Sequence, residues 1–277
     1  MTFNIHSHDR EFDPAVLEHS MKELANAAAD QDIDVLALQE CSQELEKEAV
    51  SGNLPMRCVI RKPEKRLRKG NAALLLAEDL QANGRDMYWT WAGIKLGYER
   101  FEEGLALFCR WPILSCDVPW ISKIQDFSNW KSRRALIART EISGTPVDFC
   151  SVHLGWWDDP EESFQEQMKR LDEITPKDRQ VFLMGDFNSP AEIRGERFDM
   201  IRSLGWKDTW EAADQKDEGI TVPGNIDGWR NGDCSGMRLD YIFSRTAVRV
   251  RSSSVLMNGV SGPVISDHYA VMAELDL

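Results

Sequence analysis

The stretch VFLMGDFNSP, Val181 to Pro190, sets four apolar residues directly against a glycine, an aspartate and an asparagine. A short apolar run bounded by Gly, Asn and Pro reads as a buried strand. It poses a question: why does such a strand end in a carboxylate and an amide, with Phe187 between them? Other core segments end the same way. Thr2–Ile5 carries Asn4, DVLALQE (34–40) closes on Glu40, and VDFCSVHL (147–154) carries His153. RLDYIFS (238–244) and SDHYAVMAELDL (266–277) contribute Asp240, Asp267 and His268. Any one of these reads equally well as a cap or a turn. Together they are carboxylates, amides and two histidines at the ends of core strands, where open α/β folds build their sites.

Between these strands the chain reads as one α/β domain over residues 1–277, with sheets mostly antiparallel or mixed, because strands often follow strands directly. A helix is predicted over Pro14–Asp30, with Asp13 as N-cap and Pro14 at the first helical position. Further helices are predicted over 41–50, over 161–174 with Asp159 and Pro160 at its start, and over 190–205 closed by Gly205. Strands are predicted at 72–77, 88–94, 105–110, 134–140, 181–186 and 249–257. No repeat, low-complexity segment or linker interrupts this order.

Apolar residues make up 42% of the chain, enough for a sizeable core, and Lys+Arg 33 against Asp+Glu 46 gives a net charge of -13. Proteins that grip nucleic acid carry a basic face to displace counterions from phosphates, so this balance argues against that partner. It permits a small phosphorylated substrate, which needs only local positive charge or a bound cation. RCVIRKPEKRLRKG (57–70) holds seven basic residues and one acid and reads as a solvated loop, or else as a cationic rim. The six cysteines form no C-x-x-C pair, and the first residues are polar at once. Both features fit a cytoplasmic protein with reduced thiols, no signal peptide and no membrane span.

TFNIH (2–6), LALQE (36–40), SVHLG (151–155), MGDFNSP (184–190), RLDYIFS and SDHYAV occur in an order that resembles the endonuclease/exonuclease/phosphatase superfamily of Mg2+-dependent phosphoesterases. The resemblance implies a four-layer α/β sandwich, two mixed β-sheets packed face to face with helices outside. It implies Glu40 as the main Mg2+ ligand, with Mn2+ an alternative ion, and Asn4 and Asp267 beside it. A hard cation takes oxygen ligands and keeps several waters, so few protein ligands suffice. Asp186 is expected to orient and deprotonate the attacking water, and Asn188 to hold phosphate or water in line. His153 and His268 are expected to donate to phosphate oxygens, and Asp240 to orient a histidine. Phe187 is expected to turn the other way and pack. His6 shares a strand face with Asn4 at i+2, a weaker sign of a role.

Aromatic residues gather around these motifs. HLGWWDDPEE (153–162) places Trp156 and Trp157 after His153, TVPGNIDGWRNGD (221–233) carries Trp229, and DFSNWKSRR (126–134) places Trp130 near Arg134. Indole faces suit the apolar face of a sugar ring, and adjacent residues rarely both face a ligand, so at most one of Trp156 and Trp157 is expected to stack. GWWDDPEE, GDFNSPAEIRGE, GITVPGNIDGW and RLDYIFS look like the maltose 6'-phosphate phosphatase branch of the superfamily. That likeness implies release of phosphate from a disaccharide phosphate. A phosphodiesterase or nuclease of the same fold is the rival reading, and requires an open basic groove built from 57–70 and 131–134. A catalytically inactive binding module is a third, disfavoured because the catalytic set is complete.

Overall fold

The computed structural model describes residues 1–9, 11–51, 57–60, 67–224, 226 and 236–277. In chain order its elements are β1 (Thr2–Asn4), α1 (Pro14–Asp30), β2 (Val35–Gln39), β3 (Gln43–Glu44), α2 (Ala72–Ala82), β4 (Tyr88–Gly97) and β5 (Phe101–Cys109). There follow β6 (Ser115–Asp117), β7 (Ala135–Ile142), β8 (Thr145–His153), α3 (Phe164–Ile174), β9 (Gln180–Asp186) and α4 (Arg197–Ser203). The last are β10 (Lys207–Asp208), α5 (Thr209–Ala212), β11 (Ala213–Lys216), β12 (Asp240–Ser244), β13 (Arg249–Leu256) and β14 (Ala270–Asp276).

Two mixed sheets form. One runs β11-β13-β14-β1-β2-β5-β3 with β4 also on β5, and the other β10-β12-β9-β8-β7-β6. Side chains alternate between the two faces of a strand, and the sequence uses both faces. Phe149, Phe182 and Met184 of one sheet meet Ala37, Leu105 and Leu107 of the other in a shared core. The opposite residues face outward: Leu36, Leu38 and Phe108 pack on Met21 and Leu24 of α1 and on Leu76 and Leu80 of α2. Val152 and Leu183 pack on Phe164 and Leu171 of α3 and on Phe198 of α4. This is a four-layer sandwich, helix, sheet, sheet, helix.

The same alternation delivers polar groups to one end of the sandwich. Along β9, Phe182, Met184 and Asp186 share the face between the sheets, so the strand is buried to its tip and then presents a carboxylate. Phe187 turns outward and packs edge-on against Tyr241 and Phe243, with ring centroids 5.7 and 5.1 Å away. Parallel pairing of β8 and β9 sets His153 opposite Asp186, and antiparallel pairing of β9 and β12 sets Asp240 opposite Asp186. Gly185, at φ +152°, lies so close to the Val152 carbonyl of β8 that a Cβ there would collide with it.

Glu40 is placed by a different device. Leu38 opposes Ala106 and Gln43 opposes Glu102, so five steps on one strand match four on β5. The extra residue is a β-bulge, which bends a strand and re-aims a side chain. Glu40 sits in it with φ +50°, and Cys41 N–H rejoins the ladder at the Gly104 carbonyl, 2.9 Å away.

Several sequence expectations need correction. Residues 72–77 belong to helix α2, not a strand. Asn71 caps it by accepting the Leu74 N–H at 3.1 Å, and the Ala- and Leu-rich run has no β-branched residue to oppose a helix. Residues 41–50 do not form a helix, because Gln43 and Glu44 pair with β5 and the Gln43 side chain accepts from Arg68 N–H and Asn71. The helix expected over 190–205 shrinks to Arg197–Ser203, since Gly195 is left-handed at φ +83°. α3 starts at Phe164 under a Ser163 cap, and Asp159 instead closes a turn through Glu161 N–H and Glu162 N–H. Among the described residues no helix is long and apolar enough to cross a membrane.

Candidate active site

The ends of β4, β8 and β9, the start of β5 and the segments just after β1 and β2 border a cavity of about 340 Å³, lined by His6, His8, Glu40, Lys95, Tyr98, Glu103, Trp130, Arg133, His153, Trp156, Asp186, Asn188, Asp267 and His268 among others. Its size falls at the lower end of ligand pockets, roughly 300–1,000 Å³.

Asp186 is the hub. Its Oδ2 lies 3.6 Å from His153 Nε2 and 3.7 Å from His268 Nε2, and Asn4 Nδ2 donates to it at 3.1 Å. Its Oδ1 accepts the Asn188 N–H at 2.8 Å, and Asn188 donates from Nδ2 to the Leu154 carbonyl at 2.9 Å. Each histidine is backed by an acid. Asp240 Oδ2 lies 2.8 Å from His268 Nδ1, and Glu103 Oε1 lies 3.6 Å from His153 Nδ1. Burial opposes charge on His268, but Asp240 and Asp186 outweigh it and push its pKa up to about 10. Burial pushes the Asp240 carboxyl up, with His268 acting against that shift. Burial also opposes the Glu103 charge, and Lys95 with His153 and His8 holds it well below the usual carboxylate range.

A second acidic point lies beside the first. Glu40 Oε2 and Asp267 Oδ1 approach the same His6 Nδ1, at 3.1 and 3.9 Å, while Glu40 Oε1 accepts from Asn4 Nδ2 at 3.0 Å. The hydrogen bond to Glu40 pushes His6 up to about 9 against its burial, with Asp267 and Asp9 adding to it. Burial disfavours the Glu40 charge, yet His6 holds that carboxyl well below the ordinary range. The two carboxylates thus converge on a position where a cationic ring nitrogen now stands. Oxygen donors around a cationic point suit a hard divalent ion. A second group, Asp186, Asp240 and His268, has ligand atoms within 4.8 Å of one another and could also hold a metal ion. Its Asp240–His268 edge is already a direct hydrogen bond. Asn4 bridges Glu40 and Asp186 through its amide nitrogen, and its Oδ1 accepts the His6 N–H at 3.2 Å.

The residues expected from sequence therefore divide. Asn4, Glu40, His153, Asp186, Asn188, Asp240, Asp267 and His268 come together. Trp156 lines the cavity 5.7 Å from Trp130, and its buried indole N–H has no partner among the described residues. Trp157 faces away and packs 6.0 Å from Phe164 under Arg197. Arg134, expected to bind substrate, stacks 3.6 Å over Trp120 outside the cavity, and its neighbour Arg133 lines the cavity in its place. Trp229 lies outside the described residues. His8, Lys95, Glu103 and Arg133 were not singled out from the sequence. For Glu103 and Lys95 the available signal was a charge inside an otherwise apolar strand. Three site residues, His6, Glu40 and Asn188, hold left-handed φ of 42–50°, a strain of order 1–3 kcal/mol each that clusters at functional sites.

Among the described residues, the basic side chains of these segments are paired or buried and line no groove. Lys131 is held by Asp159 and Glu161, both at 2.9 Å, and Arg133 is buried. Arg57 pairs with Asp86 at 2.7 Å and Lys69 with Glu48 at 2.8 Å, while 61–66 lie outside the described residues.

Two mixed sheets between helices, with a carboxylate flanked by acid-backed histidines at their joint edge, define the class: a phosphoesterase of the four-layer sandwich fold. The chain belongs to the Endonuclease/Exonuclease/phosphatase family, whose profile matches residues 1–268. It is similar to an endonuclease/exonuclease/phosphatase family protein from Leptotrichia buccalis, at 28% identity and TM-score 0.86 over 100% of this chain and 98% of that one. It shares its fold with a mannosyl-6-phosphatase from Bacteroides thetaiotaomicron, at 17% identity and TM-score 0.67 over 100% and 98% of the two chains. A truncated TDP2 from Caenorhabditis elegans shows the same fold at 19% identity and TM-score 0.60, over 100% and 96%. No curated protein matches the sequence.

Proposed function

We propose that this protein is a Mg2+-dependent phosphomonoesterase that removes phosphate from a small phosphorylated sugar, with maltose 6'-phosphate or a similar disaccharide phosphate the favoured substrate. The observation that carries the reading is a small cavity with Asp186 between two histidines at its base and Trp130 and Trp156 in its wall. That shape fits one phosphoryl group with a sugar ring outside it. A duplex needs a long basic surface, whereas the overall charge is -13.

In this reading Asp186 accepts a proton from the attacking water, whose oxygen bonds to phosphorus as the phosphorus–sugar oxygen bond breaks. Asn4 and the Asn188 N–H fix the Asp186 carboxylate so that one oxygen stays aimed at the water. His268, cationic beside Asp240, donates to the phosphoryl group and can pass a proton to the departing sugar oxygen. His153, steadied by Glu103, supplies the opposite donor. Glu40 and Asp267 would hold Mg2+, which when bound neutralises charge on the phosphoryl oxygens. Trp156 offers a ring face, and its indole N–H a hydrogen bond, to the sugar.

The test is phosphate release from phosphorylated mono- and disaccharides and from an abasic DNA duplex, each with Mg2+ and with EDTA. Release from a disaccharide phosphate that stops with EDTA, together with intact DNA, supports the reading. Cleavage of the duplex without phosphate release would refute it.

A further inference from the structure

Arg133 is 2% exposed and lines the cavity, yet it makes no ion pair among the described residues. Its Nη1 donates to the carbonyls of Trp130 at 2.8 Å and Ser132 at 3.1 Å, and its buried Nε has no hydrogen-bond partner among the described residues. Glu103, Asp186, Glu40 and Glu162 act on this guanidinium from a distance and none pairs with it, and a buried charge is repaid in full only by a close counter-charge or a full set of hydrogen bonds. Lys95, also buried, lies on the same wall with Nζ 3.2 Å from Glu103 Oε1. Glu103 is already shared with His8, 3.6 Å from its Oε2, and with His153. The two cations lie near enough for Arg133 to add to the burial that lowers the Lys95 pKa. Glu103 thus pairs with Lys95 and approaches two histidines, which leaves the Arg133 guanidinium without a close counter-charge beside the cavity.

We infer that Arg133 and Lys95 form a fixed cationic subsite that takes the terminal non-bridging oxygens of a phosphomonoester, making this cavity selective for dianionic monoesters over monoanionic diesters. The inference rests on the phosphatase reading and deepens it. A monoester carries close to two negative charges at neutral pH, whereas a diester carries one and has a substituent where a terminal oxygen would be. Two cations in a desolvated wall favour the second charge, and a diester has no second terminal oxygen to offer them. The planar Arg133 fork gives direction and Lys95 gives charge. Trp130 is tied to the same element by the Arg133–Trp130 hydrogen bond, so phosphate and sugar contacts share one support.

The experiment compares p-nitrophenyl phosphate with methyl p-nitrophenyl phosphate, with Mg2+, in the wild type, Arg133→Met and Lys95→Met. The leaving group is the same in both substrates. The wild type is expected to prefer the monoester, and each variant to lower the monoester-to-diester ratio of kcat/KM by at least about tenfold. In parallel, inorganic phosphate is expected to raise the Tm of the wild type, since a ligand that binds only the folded chain stabilises it. Arg133→Met should lose that rise. An unchanged ratio in both variants, or a phosphate-induced Tm rise retained in Arg133→Met, overturns the subsite. A wild type that cleaves only the diester overturns the phosphatase reading, and the Tm arm then still decides whether Arg133 binds phosphate. If Arg133→Met does not fold, Lys95→Met carries both measurements.

Discussion

Replacing Asp240 by asparagine keeps the shape of the His268 contact and removes its charge. In the native chain Asp240 Oδ2 lies 2.8 Å from His268 Nδ1, and with Asp186 it lifts the imidazole to about 10 despite complete burial. His268 is therefore cationic across the neutral range. Without the Asp240 charge, burial is opposed only by Asp186 and, more weakly, Asp267, and the ring is expected to fall toward its ordinary pKa of about 6.5. At 6.5, only about a quarter of the rings are protonated at pH 7 and about 3% at pH 8. If His268 acts as a charged donor, Asp240→Asn should cut kcat/KM about fourfold at pH 7 and about 30-fold at pH 8, with little loss near pH 6. The assay is phosphate release between pH 6 and 9, plotted as the ratio of variant to wild type, so that pH effects common to both cancel. A flat ratio would refute the donor role. Stability carries the same signature. The folded pKa is raised, so this contribution is complete below about 6.5 and is lost as pH climbs through about 10. The variant should lack that decline.

Gly185→Ala should lower stability by about 3 kcal/mol or more, because the new Cβ meets the Val152 carbonyl in an adjoining strand and φ is +152°. Differential scanning calorimetry should show Tm falling by roughly 6–12 °C, and a change under 2 °C would contradict the packing described. The two adjacent tryptophans should separate by assay. Trp156→Ala is expected to raise KM about fivefold to tenfold with Tm nearly unchanged, the loss of one ring contact. Trp157→Ala should leave KM alone and lose about 2 kcal/mol in urea unfolding, as expected for a half-buried ring packed on Phe164. A reversed pattern would mean the two rings have exchanged roles.

Much of the site was legible because strand alternation is a strong physical constraint. Once Phe182 and Met184 are read as core, Asp186 shares their face, and the same step places His153 beyond Phe149 and Ser151. Phe187 must then point outward. The strand at 72–77 was misread because a short run of Ala and Leu fits a buried strand or a buried helix equally well, and the Asn71 cap that decides it is one residue. The helix expected over 41–50 failed because pairing of Gln43 with Glu102 overrode local propensity. Arg133 and Lys95 stayed hidden for another reason. Basic residues in an acidic chain look like solvent-facing charge, and nothing local marks the ones that turn inward. Arg133 and Arg134 are neighbours of identical chemistry, and only the pairing of β7 and its preceding loop decides which one reaches the cavity.

The extra residue opposite β5 has a consequence for how this site can be gained or lost. Glu40 reaches the cavity because five residues span a distance that four would cover in a regular ladder. The position of its carboxylate therefore depends on a count of residues as well as on their identity. Removing Cys41 or Ser42 would restore even pairing with β5 and withdraw the Glu40 carboxylate while leaving every site side chain in the sequence. A relative could thus keep each motif, keep the sandwich, and lose this carboxylate from the cavity. In this chain the spacing between motifs is as much a part of the active site as the motifs themselves.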